Sequence, residues 1–384
     1  MTQPTKVDFR FHEPEALADF CTSNELGWRL RLIFVGCVYN TAFPDQVHSV
    51  NGTRCRSEAS TTLNKVTSMA RCLVTGGCGF IGSHLVRALL EAGHKVRVLD
   101  NLSTGKRENL EEVSHRIDLV EGDITDPIAV REAMSGVERV FHQAALASVP
   151  LSLERPLDTH HACATGTLTL LHASVAAKVK RFVYAASSSA YGDQPTSSKR
   201  ETDLPMTLSP YAVAKLAGEY YCQAYYHSFG LETVGLRYFN VFGPRQDPDS
   251  PYSAVIPLFV SRILTGQPPK IYGDGLQSRD FTFVANVVHG NLLASERPNI
   301  GGRIINVADG GQTTLLQLLE HLSKLLKRSI EPEFLPARAG DVRESLADIT
   351  LARRLLGYEP QVRLEEGLKR TIEYYQQLVA GSVR

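Results

Sequence analysis

The sequence predicts an α/β protein with a doubly wound parallel sheet and a smaller α/β substrate-binding lobe. Three observations support this prediction. An apolar strand, a glycine-rich turn, a helix and a second strand follow one another from residue 71. Further strand-like and helix-like segments then alternate up to residue 241. Hydrophobic residues make up 43% and charged residues 21% of the 384 residues, which is typical of a globular chain with two to three domain-sized units.

The charge balance and the cysteines argue against several classes of function. Forty-one basic residues balance forty-one acidic ones, which disfavours a nucleic-acid-binding protein. No apolar run approaches the roughly 18 residues of a membrane-spanning helix, so no membrane partner is expected. The seven cysteines are scattered and form no CxxC pair. The sequence therefore predicts neither a disulfide framework nor a metal site, and it favours a reducing, cytoplasmic location.

Residues 1–68 differ in pattern from the rest of the chain. They contain three of the seven cysteines and the only tryptophan, Trp28, without a sustained helical or strand period. The longest apolar run, Leu32 to Tyr39, is too short to span a membrane and begins too late for a secretory signal. A disordered or atypical extension and a start-site artefact, with the protein beginning at Met69, both stay open. A targeting segment is the least favoured interpretation.

The segment that follows is typical of a βαβ unit. Cys72 to Thr75 forms a short apolar strand. His84 to Ala92 has helical periodicity and ends at Gly93, a natural helix stop. A second strand, Lys95 to Leu99, is followed by Asp100.

The turn of this unit indicates a Rossmann-type dinucleotide site. Gly76, Gly79 and Gly82 allow a tight turn and a close approach of the pyrophosphate to the backbone, at a helix N-terminus with free N–H groups. Asp100 stands where a carboxylate accepts from a ribose hydroxyl and repels a 2′-phosphate. The predicted cofactor is therefore NAD rather than NADP.

Three further strands are predicted, each followed by small or polar residues. The strands are His115 to Val120, Val137 to His142 and Lys180 to Ala186. Because ligands bind beyond the carboxyl ends of parallel strands, the residues just past these ends should line one crevice. Those residues include Asp123, Ala144 and Ser187.

A tyrosine and a lysine share one face of a predicted helix. Ser209 suits the N-cap and Pro210 the first helical position, which places Tyr211 and Lys215 at i and i+4. The lysine ammonium and the positive nicotinamide are expected to lower the pKa of the Tyr211 phenol. Tyr211 would then be a general base toward a sugar or alcohol hydroxyl. The serines after the preceding strand, Ser187 to Ser189, strengthen this interpretation.

Several segments together resemble the extended short-chain dehydrogenase/reductase family. They are TGGCGFIGSH, DNLSTG, GDITD, HQAA, SSSAYGD, SPYAVAK, LRYFNVFGPRQDP, AVIP, YGDG, SRDFTFV and GDVRES. Within that family the sequence is most similar to nucleotide-sugar 4-epimerases, in particular those of UDP-N-acetylglucosamine and UDP-glucuronate. The resemblance covers residues 71 to about 345.

The resemblance implies roles for individual residues. Ser187, Tyr211 and Lys215 would be catalytic, with Tyr211 as the base, Ser187 as the hydroxyl partner and Lys215 on the nicotinamide ribose. The residues implied to contact NAD, besides Tyr211 and Lys215, are Gly76, Gly79, Phe80, Ile81, Gly82, Asp100, Asn101, Ser103, Asp123, Ile124, Ala144, Ala145 and Tyr238. The residues implied to contact the UDP-sugar are Ser188, Ser189, Asn240, Val255, Tyr272, Arg279, Arg338, Asp341 and Ser345. The two arginines would clamp the diphosphate.

Two serines bear on the reaction and the sugar. Related dehydratases and decarboxylases carry a Glu at the position of Ser189, so its absence favours simple C4 epimerisation. Ser345 stands where the family's side chain abuts the sugar C2 substituent. Because serine is small, an N-acetylated UDP-hexose is expected to fit. A UDP-glucuronate substrate stays open, as does another NAD-dependent decarboxylase or dehydratase reaction.

One departure from the family pattern concerns Cys163, which replaces an Asn that normally supports the active-site polar network. It keeps open a catalytically inactive, NAD-binding scaffold. The predicted boundaries are 69–241 for the NAD-binding domain and 242–384 for the nucleotide-sugar lobe, with Asp280 to Ala294 returning to the large domain. Helices around 159–176 and 211–228 would form a homodimer interface, as the resemblance implies.

Overall fold

The computed structural model describes residues 69–248, 254–337 and 342–382. They belong to one compact unit that begins at Lys65. The predictions made for residues 1–68, and those for Arg338 and Asp341, lie outside the described residues.

The described residues form fifteen strands. In chain order they are β1 Arg71–Thr75, β2 Lys95–Asp100, β3 Ile117–Glu121, β4 Arg139–His142, β5 Arg181–Ser187, β6 Ser198–Lys199, β7 Thr233–Tyr238, β8 Val241–Phe242, β9 Lys270–Tyr272, β10 Ser278–Arg279, β11 Thr282–Phe283, β12 Arg303–Val307, β13 Thr313–Thr314, β14 Glu333–Leu335 and β15 Glu344–Ala347.

Eleven α-helices connect or cover these strands in the described part of the chain. They are α1 Phe80–Glu91, α2 Pro127–Ala133, α3 Val149–Glu154, α4 Pro156–His160, α5 Gly166–Ala176, α6 Pro210–Phe229, α7 Val255–Leu264, α8 Val284–Glu296, α9 Leu315–Leu326, α10 Thr350–Leu356 and α11 Leu364–Ser382. Arg107–Arg116 and Ser188–Ala190 are 3₁₀ segments, and His161–Thr165 is a π-helical turn between α4 and α5.

Seven strands make one parallel sheet in the order β12-β7-β5-β4-β1-β2-β3. The order runs outward from β1 in one direction and then resumes at β4 on the other side of β1. This reversal opens a crevice at the carboxyl ends of β1 and β4, where ligands of such sheets bind. The predicted doubly wound α/β fold is confirmed.

Separate hydrophobic cores cover the two faces of this sheet. One core contains Leu89 of α1 and Val287 of α8, and the other contains Leu170 of α5 and Cys222 of α6. Successive residues of β1 point to opposite faces, so Cys72 and Val74 belong to the first core and Leu73 to the second. A strand that is buried on both faces reads as a continuous apolar run, which is why β1 is recognisable in the sequence.

Several predicted boundaries shift by one to four residues in the structure, and two of these shifts have a clear local reason. Helix α1 begins at Phe80 rather than at His84, because Gly79 is already extended and its carbonyl accepts from the Ser83 amide at 3.0 Å. Strand β3 begins at Ile117 rather than at His115, because Arg107–Arg116 form a 3₁₀ segment.

A second group of elements surrounds its own core. Strands β8, β9 and β11 pack with α7, α9 and α11 around side chains such as Phe259 and Leu318. The four-stranded sheet β13-β10-β15-β6 and the strand pairs β9–β14 and β8–β11 complete this group. By contrast, β12 and α8, which come later in the chain than β8, complete the large sheet and its cover. The two groups of elements therefore alternate along the sequence.

Two kinds of feature are absent from the described residues. None of their helices combines the length and apolarity needed to cross a membrane. None of their His, Cys, Asp and Glu side chains cluster in threes as a metal site would require.

Candidate active site

The candidate site lies at the carboxyl edge of the seven-stranded sheet. Strand β1 ends at Thr75, paired with His142 of β4, and β5 ends at Ser187, paired with Tyr238 of β7. Strand β2 ends at Asp100, beside β1. The parallel register thus brings strand ends from different parts of the sequence to one crevice.

The glycine turn can pack against its own backbone and against the end of β4 only because it lacks side chains. Gly76 has a φ of +67°, and a Cβ there would lie 2.7 Å from the Ala144 backbone. A Cβ at Gly82 would lie 2.1 Å from the Gly76 carbonyl oxygen. Gly79 precedes α1 without a side-chain cap among the described residues. The first amides of α1, including those of Phe80 and Ile81, can therefore face a pyrophosphate.

Asp100 holds the glycine turn in place. The side chain is 6% exposed, and it accepts from the amides of Cys78 at 2.8 Å and Leu102 at 2.9 Å. Each carboxylate oxygen can accept a further hydrogen bond. The second function of Asp100, as an anchor between β2 and the turn, was not predicted from the sequence.

Asn101 and Asp123 are brought into direct contact. The side-chain amide of Asn101 donates to the Asp123 carboxylate at 2.7 Å, and the backbone amide of Ser103 donates to the side-chain oxygen of Asn101 at 3.0 Å. Burial raises the pKa of Asp123, but hydrogen bonds from Thr125 and Asn101 outweigh it and lower the pKa overall. Ile124 is buried, and its side chain reaches the start of α5, where a Cβ on Gly166 would lie 2.6 Å away.

Helix α6 begins as the sequence predicts. Ser209 accepts from the Ala212 amide at 3.2 Å, and Pro210 occupies the first turn. Lys215 is 3% exposed and donates to the carbonyl of Ala185 at 2.8 Å, with its ammonium 5.0 Å from the centre of the Tyr184 ring. Lys215 is therefore fixed against β5, immediately before Ser187 to Ser189, which we call the serine turn.

The Lys215 ammonium by itself does not produce the expected lowering of the Tyr211 pKa, and the contribution expected from the positive nicotinamide stays a prediction. Burial raises the pKa of the Tyr211 phenol above its usual value, the neighbouring Cys163 adds to this rise, and a hydrogen bond with Ser187 only partly opposes it. The physical reason is that the Lys215 ammonium is bonded to a backbone carbonyl while the phenol is desolvated. A positive charge from a bound ligand is needed to favour the phenolate.

The serine turn surrounds the Ser187 hydroxyl with donors. Ser189 donates to the Ser187 Oγ from its hydroxyl at 2.8 Å and from its amide at 3.2 Å. Ser187 is also the hydrogen-bond partner of Tyr211. Ser188 is half-buried at the start of the 3₁₀ segment. The structure therefore brings Ser187, Ser189 and Tyr211 together, as the sequence analysis predicts.

A buried polar chain behind Tyr211 was missed by the sequence analysis. Thr167 donates its hydroxyl to the carbonyl of Cys163 at 2.6 Å and lies 2.9 Å from Nε2 of His142. Nδ1 of His142 lies 2.8 Å from the Thr75 hydroxyl. Since the Thr167 proton is already used, His142 must donate from Nε2 and accept at Nδ1. Burial keeps the pKa of His142 well below its usual value, which suits this neutral tautomer.

Cys163 lies in the π-helical turn, a feature that often marks functional sites. Its side chain is 1% exposed and packs with Ala145, Tyr211 and Ala214. Burial raises the pKa of the Cys163 thiol, which therefore stays neutral. The residue contributes packing next to the phenol rather than a charge.

The Tyr238 hydroxyl forms hydrogen bonds with other side chains of the protein. Its hydroxyl lies 3.2 Å from the Gln143 carbonyl oxygen and accepts from the Asn291 amide at 2.8 Å. Gln143 also donates to Asn291 at 3.2 Å. Neither Gln143 nor Asn291 was predicted as a site residue. Gln143 directly follows β4, in the HQAA segment, whereas Asn291 is far from the strand ends in sequence and reaches them only through α8.

A buried ion pair stands one helical turn beyond Lys215. Arg237 of β7 donates to both carboxylate oxygens of Glu219, at 2.9 and 2.7 Å. Its guanidinium also lies 4.5 Å from the centre of the Tyr191 ring, and Tyr191 donates to Asn306 at 2.7 Å. This network connects α6 to the end of the serine turn and to β12.

Apart from Ser188 and Ser189, the described residues predicted to contact the substrate lie in or next to the smaller group of elements. Arg279 of β10 and Ser345 of β15 are direct partners in a parallel pair. Asn240, at a φ of 29°, donates to the Asp280 carbonyl at 3.3 Å. Val255 is half-buried at the start of α7. Tyr272 lines a cavity of about 220 Å³ together with Gln277 and Arg343 among others.

Comparison with known proteins gives matches over most of the chain. The model of the NAD dependent epimerase/dehydratase family matches residues 72–308. A UDP-glucose 4-epimerase of Mycolicibacterium smegmatis is 40% identical over 311 residues, which cover 80% of this chain and 98% of that protein.

Solved structures agree with this. The UDP-N-acetylglucosamine 4-epimerase of Methanobrevibacter ruminantium M1, in complex with UDP-N-acetylmuramic acid, is 40% identical with a TM-score of 0.78, over 81% of this chain and all (100%) of that chain. The UDP-glucuronic acid 4-epimerase of Bacillus cereus, in complex with UDP-glucuronic acid and NAD, is 34% identical with a TM-score of 0.75, over 80% and 99% of the two chains.

Proposed function

The chain belongs to the NAD-dependent epimerase/dehydratase family and is an NAD-using UDP-sugar 4-epimerase, and we propose that it interconverts UDP-N-acetylglucosamine and UDP-N-acetylgalactosamine. The observation that carries the proposal is the grouping of Ser187, Tyr211 and Lys215 at the sheet edge, with Ser345 beside Arg279 in the adjoining strands.

The residues present suit NAD. Gly76 and Gly82 permit a tight turn that a Cβ at either position would block, and the uncapped start of α1 that this turn leads into would offer its amides to the pyrophosphate. Asp100 can accept from the adenosine ribose and would repel a 2′-phosphate. NAD, when bound, accepts a hydride from C4 of the sugar and later returns it to the opposite face.

The proton is handled by the chain itself. We assign to Tyr211 the removal of the proton from the sugar 4-hydroxyl, and to Ser187 the hydrogen bond that holds this hydroxyl and relays its proton. Lys215, fixed by Ala185, would offer its positive charge to the nicotinamide ribose. The phenol becomes a competent base when the positive nicotinamide offsets the desolvation that raises its pKa.

The choice of epimerisation depends on Ser189. A dehydratase or decarboxylase of this family would carry a carboxylate at this position. Here the Ser189 hydroxyl donates to Ser187 at 2.8 Å, so it completes the hydrogen bonds of the proton relay. After oxidation at C4, the 4-keto sugar would therefore rotate about its link to the diphosphate and be reduced again at C4.

The choice of sugar depends on Ser345. Its place next to Arg279 puts a small side chain one strand away from the residue assigned to the diphosphate. This supports a pocket that admits an N-acetyl group at C2. UDP-glucuronate is the alternative substrate, since the assigned residues would bind the same UDP portion.

We also propose a homodimer in a reducing compartment such as the cytoplasm. Val213 and Tyr220 of α6 are more than half exposed, as are Leu153 of α3 and Leu157 of α4, which makes an apolar face that a second copy could cover. Among the described residues, Cys72, Cys78, Cys163 and Cys222 are all free thiols.

The proposal is tested by incubating the purified protein separately with UDP-N-acetylglucosamine, UDP-glucose and UDP-glucuronate, without added NAD, and identifying products by NMR. The expected result is the C4 epimer, formed fastest from the N-acetylated sugar. A faster reaction with UDP-glucuronate would identify that sugar as the substrate in place of UDP-N-acetylglucosamine. A 4-keto-6-deoxy or pentose product would overturn the proposal that the reaction is C4 epimerisation. Failure of all three sugars even with added NAD would overturn the proposed function.

A further inference from the structure

We infer that Asp280 is a positioning residue that holds the two strands carrying Arg279 and Ser345, and thereby sets both the affinity for the UDP portion and the discrimination at the sugar C2 group. This inference rests on the proposed function, since it assigns those two residues to the diphosphate and to the C2 substituent.

The Asp280 carboxylate accepts three backbone hydrogen bonds. The amide of Asp309 donates to Oδ1 at 3.0 Å, and the amides of Gly310 and Ala347 donate to Oδ2 at 3.1 and 3.2 Å. The residue is 0% exposed, and no lysine, arginine or histidine in the described part of the chain forms an ion pair with it. A buried carboxylate with only amides around it is expensive to maintain, which argues that its position matters.

The backbone of Asp280 reaches two of the predicted substrate residues. Its amide donates to the Ser345 carbonyl at 2.7 Å, and its carbonyl accepts from the Asn240 side chain at 3.3 Å. Asp280 also follows Arg279 directly in the chain. One residue is therefore bonded or adjacent to three groups that were assigned to the UDP-sugar on other grounds.

The strands concerned are too short to define their own register. Strands β10 and β15 share only two residue pairs, Ser278 with Glu344 and Arg279 with Ser345. Beyond Arg279, the Asp280 side chain takes the place of a strand partner by accepting from Ala347 on the same edge of β15. The carboxylate thus extends the ladder past the point where the backbone of β10 turns away.

The same carboxylate ties these strands to the large sheet. Asp309 and Gly310 lie just beyond β12, the edge strand of the parallel sheet that holds the candidate NAD site. The groups that face Asp280 include the Asp309 carboxylate, which is paired with Arg363 at 3.3 Å, and Tyr358, which donates to the Ala308 carbonyl at 2.9 Å. Asp280 thereby fixes the substrate strands relative to the reacting end of the cofactor site.

Asn286 provides a matched control. It is also 0% exposed, and its side chain makes three backbone hydrogen bonds, to the amides of Gln361 and Val362 and to the Val362 carbonyl. None of these bonds reaches a strand that carries an assigned substrate residue. Asn286→Ala removes three buried hydrogen bonds, and Asp280→Asn replaces one of the two accepting oxygens by an NH2 group that cannot accept from the backbone amides. Only the change at Asp280 should move Arg279 and Ser345.

The experiment compares Asp280→Asn and Asn286→Ala with the unmutated enzyme. Calorimetry measures the affinity for UDP. Steady-state kinetics give kcat and KM for the epimerisation of UDP-N-acetylglucosamine and UDP-glucose. The NAD content is measured as the NAD released on denaturation. We expect Asp280→Asn to weaken UDP binding and raise KM by about tenfold or more, to leave kcat within a few-fold, to reduce the preference between the two sugars, and to keep NAD content unchanged. Asn286→Ala should lower the melting temperature without these changes.

Equal UDP affinity and sugar preference in Asp280→Asn and the unmutated enzyme would overturn the inference, as would an equal rise in KM in Asn286→Ala. If the unmutated enzyme binds UDP but epimerises no sugar, the proposed function fails while the calorimetric comparison still judges Asp280. If it does not bind UDP, both fail.

A second measurement applies if Asp280→Asn does not fold. In the unmutated enzyme, saturation with UDP should slow hydrogen exchange at the amides of Asp309, Gly310 and Ala347, and leave those of Gln361 and Val362 unchanged. Unchanged exchange at the first three amides would overturn the inference.

Discussion

The ammonium of Lys215 donates to the carbonyl oxygen of Ala185 at 2.8 Å, two residues before Ser187 in the same strand. This bond places the positive charge at the strand end instead of on the phenol of Tyr211. Burial raises the pKa of that phenol above its usual value. If Tyr211 is the base, as proposed, a further positive charge such as that of the nicotinamide would be needed to favour the phenolate.

Tyr211→Phe should lose turnover by about 10²- to 10⁴-fold while keeping its NAD. The substitution removes the proton acceptor but retains the ring that packs against Ala145 and Cys163. Turnover with UDP-N-acetylglucosamine and NAD released on denaturation are the measurements. Turnover within threefold of the unmutated enzyme would exclude Tyr211 as the base.

Binding of oxidised NAD should lower the pH at which Tyr211 ionises. Without cofactor the pKa of the phenol is raised by burial, so its ionisation is displaced to higher pH; the positive nicotinamide acts in the opposite direction. The measurement is the tyrosinate absorbance difference between the unmutated enzyme and Tyr211→Phe, with and without NAD. The same midpoint in both states would contradict the proposed coupling.

Thr167→Val should destabilise the protein by about 1–3 kcal/mol. It leaves the Cys163 carbonyl without its 2.6 Å hydrogen bond and His142 without its partner at Nε2. Thr169→Val is the control, because Thr169 makes the same type of bond to the Thr165 carbonyl on a less buried part of α5. In chemical denaturation the unfolding midpoint should fall further for Thr167→Val than for Thr169→Val. Equal changes would contradict a stabilising role for the buried hydrogen bonds that join Thr75, His142 and Thr167.

Ser345→Tyr should reduce kcat/KM for UDP-N-acetylglucosamine by about 10- to 100-fold and change that for UDP-glucose much less. The larger ring would fill the space proposed for the N-acetyl group. Glu344→Tyr is a matched control, since neighbouring residues of a strand point to opposite faces and Glu344 is exposed. A parallel loss for both sugars in Ser345→Tyr would argue against a selective pocket.

The stability conferred by Asp280 should decrease as the pH rises from about 4 to about 7. Burial raises the pKa of Asp280 from 3.8 to about 7, despite three amide hydrogen bonds that lower it. In this window the folded state holds a proton that the unfolded chain has released, so raising the pH favours unfolding until the group is ionised in both states. Above about pH 7 the effect should be constant.

The measurement is the difference in unfolding midpoint between the unmutated protein and Asp280→Asn at pH 5, 6, 7 and 8. The advantage of Asp280 over the amide should decline up to pH 7. Asp309, whose pKa is also raised by burial, titrates in both proteins and largely cancels in the difference. Parallel pH curves would contradict the raised pKa of Asp280.

Local patterns in the sequence determined the elements that begin and end the site. The Gly76 turn, the Ser209 cap of α6 and the i, i+4 spacing of Tyr211 and Lys215 depend on residues within a few positions of one another. Their backbone requirements are therefore visible in the sequence alone. The family resemblance added the substrate residues, of which Arg338 and Asp341 lie outside the described residues.

Tertiary structure decided which of these groups meet and how they ionise. Thr75, His142 and Thr167 are joined through different strands and a helix, and Asp280 finds its amide donors at Asp309, Gly310 and Ala347. No local periodicity encodes contacts between positions so far apart in the chain. The sequence placed Lys215 near Tyr211 and suggested a lowered phenol pKa, but only the fold shows the ammonium bonded to Ala185 and the phenol desolvated. Hydrogen-bond direction and burial, which determine a pKa, are properties of the packed structure.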